Sequence, residues 1–144
     1  MEDQAATTNN QQREDLISIL REDYARFPQN QTYDIYADKV YFKDPLNEFR
    51  GVKRYRSMIS FLSSFFSNIE MEVHHLSQDG TTVKTEWTLN MTPPLPWKPR
   101  LSIPGWSELT INEQNLITSH IDYWRISPWQ VLRQNFFWGK KASQ

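Results

Sequence analysis

Apolar side chains recur at three- and four-residue spacing near the start of the chain. Leu16, Ile17, Leu20, Tyr24 and Phe27 place one apolar stripe on a helix over residues 13–27, with Glu14, Asp15, Glu22 and Asp23 outside it. Pro28 ends that helix, because a proline disfavours helical geometry in the residue before it. Tyr33, Ile35 and Tyr36 suggest a short second helix or turn. Val40, Tyr41 and Phe42 read as a brief strand, closed by a turn at Asp44-Pro45. From Gly51 the helical period returns. Val52, Tyr55, Met58, Ile59, Leu62, Phe65 and Phe66 form the stripe of a second long helix, whose outer face carries Lys53, Arg54 and Arg56.

The period then changes to two. Ile69, Met71 and Val73 alternate with Glu70, Glu72 and His74, and Gln78-Asp79-Gly80 makes a hairpin turn. Val83, Thr85, Trp87, Leu89 and Met91 alternate on the return strand. A stiff loop with Pro93, Pro94, Pro96, Pro99 and Pro104 follows, since each proline fixes its own φ. Residues 106–111 read as a strand, 112–115 as a turn and 116–126 as the last strand, stopped by Pro128. Helices followed by a four-stranded antiparallel meander predict an α+β fold with the helices on one face of a curved sheet. One domain is expected over residues 13–127. A polar, disordered segment, 1–12, precedes it, and an aromatic and basic tail, 128–144, follows it.

Composition removes several chemistries. The chain has 144 residues, no Cys, three His and four Gly. A thiol nucleophile, a disulfide framework and a cysteine-held metal are therefore excluded. His74 and His75 are adjacent and so face opposite sides of a strand, which matches no catalytic metal spacing. None of the glycines builds a dinucleotide or phosphate-binding loop. No metal and no cofactor is expected. The formal net charge of −1 and the lack of a dense basic stripe argue against nucleic acid. The first residues have neither a basic nor an apolar targeting region, so a cytoplasmic location is expected. Six Trp, six Tyr and eight Phe are more aromatic surface than a core of this size needs.

Two stretches carry a resemblance. Residues 36–45 (YADKVYFKDP), with Phe49-Arg50-Gly51-Val52 and the helix after them, resemble the start of the nuclear transport factor two-like superfamily. So does the closing strand Ile117-Thr118-Ser119-His120-Ile121-Asp122-Tyr123-Trp124. The DPLNEFRG segment and the proline-rich loop look most like an uncharacterised family of cyanobacteria and chloroplasts. The resemblance implies a cone of bent antiparallel sheet wrapped around N-terminal helices, as in cystatin-like folds, with a pocket in the cone. Its members include isomerase-like, SnoaL-like cyclase and epoxide hydrolase-like enzymes, and many members without catalysis. A setting in photosynthetic cells, as an accessory or assembly protein, is what the resemblance suggests.

The candidate site follows from the last strand. His120, Asp122 and Trp124 share one of its faces. Matched to the hydrolase-like members, Asp122 takes the place of an inward-facing acid and His120 that of an aromatic residue. The pair can serve as an acid/base couple, or it can hydrogen-bond within the structure and do no chemistry. The strand at residues 85–89 offers Trp87 and Leu89 where the hydrolases carry Arg and a second Asp, so their water-activating triad is absent. Tyr55, Trp87, Trp106, Glu108 and Trp124 are the candidate ligand-contacting residues of an apolar pocket. Glu108 either joins a polar floor with Asp122 or faces solvent. Asp44 is either a turn cap or a carboxylate on the pocket rim. A non-enzymatic module that binds an apolar ligand or a partner is expected, with a small isomerase, cyclase or dehydratase as the alternative.

Trp97 and Arg100 in the proline loop, and Trp129, Arg133, Phe137 and Trp138 in the tail, are the candidate partner-binding residues. Residues 125–144 carry Arg125, Arg133, Lys140 and Lys141 and no acid. Such a tail suits a protein groove or an anionic membrane surface, or it packs under the sheet or across a homodimer interface.

Overall fold

The structure, a computed structural model, describes residues 15–136. The first helix, α1, covers residues 15–25 within that range and turns Leu16 and Leu20 into the core. A single 3-10 turn, Tyr33–Ile35, leads into strand β1, Tyr36–Lys43, and a short strand β2, Glu48–Arg50. Helix α2 spans Val52–Phe65 and buries Tyr55 and Ile59. Gly51 precedes it with φ of +114°, a conformation that side chains with a Cβ rarely adopt. Four long strands follow: β3 Ser67–Asp79, β4 Thr82–Thr92, β5 Leu101–Ile111 and β6 Ile117–Trp124. Helix α3, Pro128–Phe136, comes last.

The strands form one curved, unclosed sheet in the order β2-β1-β6-β5-β4-β3. Neighbouring strands from β3 to β6 are antiparallel, the expected meander. β1 is longer than the sequence pattern indicates and pairs parallel with β6, with Phe42 opposite His120. β6 is therefore an interior strand. α1 and α2 cover the concave face. Leu16 and Leu20 pack with Val40, Val83, Leu109 and Ile117, and Tyr55 and Ile59 pack with Phe42.

Two segments differ from expectation. β5 starts at Leu101, so Pro104 lies inside a strand. It offers no N–H to the ladder, but its carbonyl accepts the Arg125 N–H at 2.8 Å. Leu101, Ile103, Ser107, Leu109 and Ile111 all face the core from that strand. Residues 128–136 form a docked helix where a tail was expected. Val131 of α3 is buried among Trp87, Met91, Leu101 and Ile103. Gln134 brackets the backbone of Ser102, accepting its N–H at 3.1 Å and donating to its carbonyl at 3.3 Å. The expected disordered segment, 1–12, and residues 137–144 lie outside the described residues. No helix among the described residues is long and apolar enough to cross a membrane.

Candidate ligand-binding cavity

The helices do not fill the concave face of the sheet. A cavity of about 400 Å3 remains between α1, α2 and strands β3 to β6, within the size range of small-molecule sites. Its walls are mainly apolar and aromatic. Leu46 and Phe61, both largely exposed, line its open end. Its buried end is polar, and that end draws on four elements: Tyr24 from α1, Tyr36 from β1, Tyr55 from α2, and His120 and Asp122 from β6.

A chain of hydrogen bonds crosses three adjacent strands at this end. The Trp87 indole N–H donates to Ser107 Oγ at 2.8 Å. Ser107 Oγ–H donates to Asp122 Oδ1 at 2.5 Å, and His120 Nε2–H donates to the same oxygen at 2.7 Å. Sheet register explains the meeting, because Ser107 lies directly opposite Asp122 and Trp87 opposite Gly105. With no side chain at 105, the indole lies across the strand backbone. A Cβ there would sit 2.8 Å from Trp87 Cη2 and 2.3 Å from the Tyr123 carbonyl oxygen.

The His120 ring is packed among aromatic rings, 5.1 Å from Phe42 and 5.4 Å from Tyr55 between centroids. Its Nδ1 is buried and has no hydrogen-bond partner among the described residues. This pattern fits the Nε2–H tautomer, in which Nδ1 keeps a lone pair and needs no acceptor. Asp122 Oδ2 has no hydrogen-bond partner among the described residues, and Asp122 lines the cavity.

The three tyrosines stay protonated far into alkali. Burial pushes each phenol well above its ordinary value, and the Asp122 carboxylate pushes the same way. The Thr85 and Ser107 hydroxyls partly offset this at Tyr24. The Tyr36 hydroxyl faces that of Tyr55 at 3.5 Å. Asp44 lies towards the open end. Its carboxylate accepts the N–H groups of Leu46 at 2.7 Å and Asn47 at 2.6 Å, so it closes the turn, and it also lines the cavity. Partial burial raises its pKa, against the pull of those N–H bonds.

Of the residues singled out from sequence, Tyr55, Trp87, His120, Asp122 and Trp124 meet in this cavity. Trp106 and Glu108 do not. Leu109 and Ile111 set the inward parity of β5, which leaves positions 106 and 108 on the convex face. There Trp106 stacks on Tyr123 at 4.9 Å, beneath the Arg125 guanidinium. Ser107 holds the place expected for Glu108, and Tyr24 joins unforeseen. The parity that Leu109 and Ile111 impose was the available signal for Ser107.

Arg100 is not a free docking cation. It donates to the Asn68 carbonyl and to Thr92 Oγ1, and lies 3.9 Å from Glu70. Trp97 is 37% exposed, while Trp129 is 63% and Leu132 48% exposed on α3. Arg133 is exposed on the same helix. Phe137 and Trp138 lie outside the described residues. Among the described residues no three metal-ligating side chains come together.

Residues 14–120 match the family described as Uncharacterized conserved protein, DUF2358. The chain belongs to this family. Solved structures show the fold that this DUF2358 chain shares. A putative polyketide cyclase from Xanthomonas campestris pv. campestris superposes with a TM-score of 0.67 at 16% identity, over 88% of this chain and 99% of that one. A hypothetical protein with a ketosteroid isomerase-like fold from Catenulispora acidiphila, solved with trimethylamine, gives 0.65 at 17% identity, over 78% and 85%. An LEH-like epoxide hydrolase from M. tuberculosis gives 0.62 at 18%, over 82% and 86%. The DUF2358 chain thus has the nuclear transport factor two-like fold. Comparison with curated proteins finds no match.

Proposed function

We propose that this chain is a non-enzymatic binding module that holds a small, largely apolar molecule in the cavity of its cone. The observation that carries the reading is the cavity itself. It has about 400 Å3 of space, apolar walls, and hydrogen-bonding groups gathered at one end. Such a division seats an apolar body and orients it by one polar group.

The enzymatic alternative needs the His120–Asp122 pair to pass a proton to or from a bound molecule. His120 is poorly placed for it. One ring nitrogen is spent on Asp122 and the other is sealed among aromatic rings. A general acid or base must come within hydrogen-bond reach of the reacting atom. His120 is better read as holding Asp122 in place. Partner docking is a second, compatible reading, favoured by the exposure of Trp129 and Leu132 on α3. Large exposed apolar side chains of this kind mark contact surfaces.

The neutral fluorophore N-phenyl-1-naphthylamine tests the main reading. The native chain should bind it saturably at one site. Met71→Trp, which fills the cavity from β3, should abolish that signal and leave the thermal midpoint within a few degrees. A native chain that binds the probe no better than a folded Met71→Trp chain would refute the proposal.

A further inference from the structure

We infer that the molecule this cavity selects is an amphiphilic amine, its ammonium group seated against Asp122 and its apolar body directed towards the open end. The inference rests on the binding reading above and names its ligand class.

Charge within the cavity is one-sided. Asp23, Asp44 and Asp122 line it, and among the described residues no Lys or Arg does. Two of these carboxylates are already engaged. Asp23 pairs with Arg26 at 2.7 Å and accepts both the N–H and the hydroxyl of Thr32. Asp44 is wrapped by the turn that it caps. Asp122 differs from both. Its Oδ1 takes two hydrogen bonds, from the Ser107 hydroxyl and from His120 Nε2, and its Oδ2 takes none among the described residues. Among the described residues no acceptor faces His120 Nδ1, so the site is not built for the second ring proton that would make His120 a cationic partner. The field of the Asp122 carboxylate reaches Tyr24, Tyr36, Tyr55 and Asp44, where it adds to burial in raising their pKa values.

A cavity whose inner carboxylate has no cationic partner and one oxygen unused among the described residues prefers a cation and repels an anion, and low-dielectric walls strengthen both effects. The walls agree in kind. Tyr24, Tyr36, Tyr55 and Trp87 gather around this end, and aromatic faces attract ammonium groups. A carboxylic acid would meet Asp122 with like charge. A neutral alcohol or ketone would use the phenols and leave the carboxylate charge unmatched.

Three naphthalene ligands of similar shape decide the matter: 2-(1-naphthyl)ethylamine, 2-(1-naphthyl)ethanol and 3-(1-naphthyl)propionic acid. Isothermal titration at pH 7 and low salt should give the amine at least tenfold tighter binding than the alcohol, with the acid weakest. Asp122→Asn can still accept from Ser107 and His120. It should erase the amine's advantage over the alcohol. If the alcohol or the acid binds the native chain as tightly as the amine, the inference fails and the cavity reading stands. If none of the three binds, and N-phenyl-1-naphthylamine does not bind either, the cavity reading fails and takes this inference with it. The native-chain comparison holds even if Asp122→Asn does not fold.

Discussion

Gly105→Ala is the smallest change that should wound this fold badly. In a strand interior, alanine ordinarily outperforms glycine by about 0.5–1 kcal/mol, because glycine loses more freedom on folding. Here the sign should reverse. The new Cβ would lie 2.3 Å from the Tyr123 carbonyl oxygen and 2.8 Å from Trp87 Cη2. The first neighbour is backbone of the paired strand, so β5 and β6 must part or shear. The second is an indole whose N–H is committed to Ser107. Overpacking of this kind costs about 1–3 kcal/mol, and orphaning a buried donor costs about 1–3 kcal/mol more. We expect a loss of about 4 kcal/mol. For a chain of this length that lowers the thermal midpoint by about 12–15 °C. Urea unfolding followed by far-UV circular dichroism and tryptophan fluorescence measures it. A Gly105→Ala chain within 1 kcal/mol of the native one would refute the argument that the indole and the strand backbone fix this position. Trp87→Leu should recover only part of the loss, since the Tyr123 carbonyl stays where it is.

Other outcomes follow from the same geometry. The hydrogen-bond chain should be cooperative: Trp87→Phe and Ser107→Ala should each cost about 1–3 kcal/mol, and the double variant less than their sum, in a urea double-mutant cycle. Tyr24, Tyr36 and Tyr55 hold their protons in the folded state above the ordinary phenol value of 10.0. The folded chain then binds more protons than the unfolded one above pH 10, and stability falls as pH rises by about 4 kcal/mol per unit for three groups. Phenolate absorbance at 295 nm from these residues should appear only together with unfolding. Asp44→Ala removes the acceptor for Leu46 and Asn47 and should cost about 1 kcal/mol by chemical denaturation. Val131→Ala empties the one buried position of α3 recorded among the described side chains. It should cost about 1–3 kcal/mol and raise hydrogen exchange in residues 128–136 first.

Local pattern made much of this fold legible. The stripe at Leu16 and Leu20 and the one at Tyr55 and Ile59 are the faces that α1 and α2 bury. Alternation from Ile69 to Met91 marked β3 and β4 and the hairpin between them. Non-local pairing was the obscure part. Nothing in residues 36–43 announces a parallel partner some eighty residues away, because that contact lies in register and not in composition. Pro104 masked the start of β5, since a proline reads as a break until its carbonyl is seen to be used. In the site, His120, Asp122, Tyr55, Trp87 and Trp124 were legible as inward-facing polar or aromatic positions. Trp106 and Glu108 drew notice by residue type, while Ser107, small and unremarked, holds the position opposite Asp122.

The place of β6 between β1 and β5 bears on how the chain is made. As synthesis proceeds, residues 15–111 can pair only into two separate sheet fragments, β1 with β2 and β3 with β4 and β5. Each fragment then shows an open edge of unpaired amide and carbonyl groups, which invites pairing with other chains. Residues 117–124 join the fragments, cover both edges and deliver His120 and Asp122 to the cavity in one event. A nascent chain stalled before residue 117 is thus at its most aggregation-prone, and release of its last strand is the step that ends that exposure.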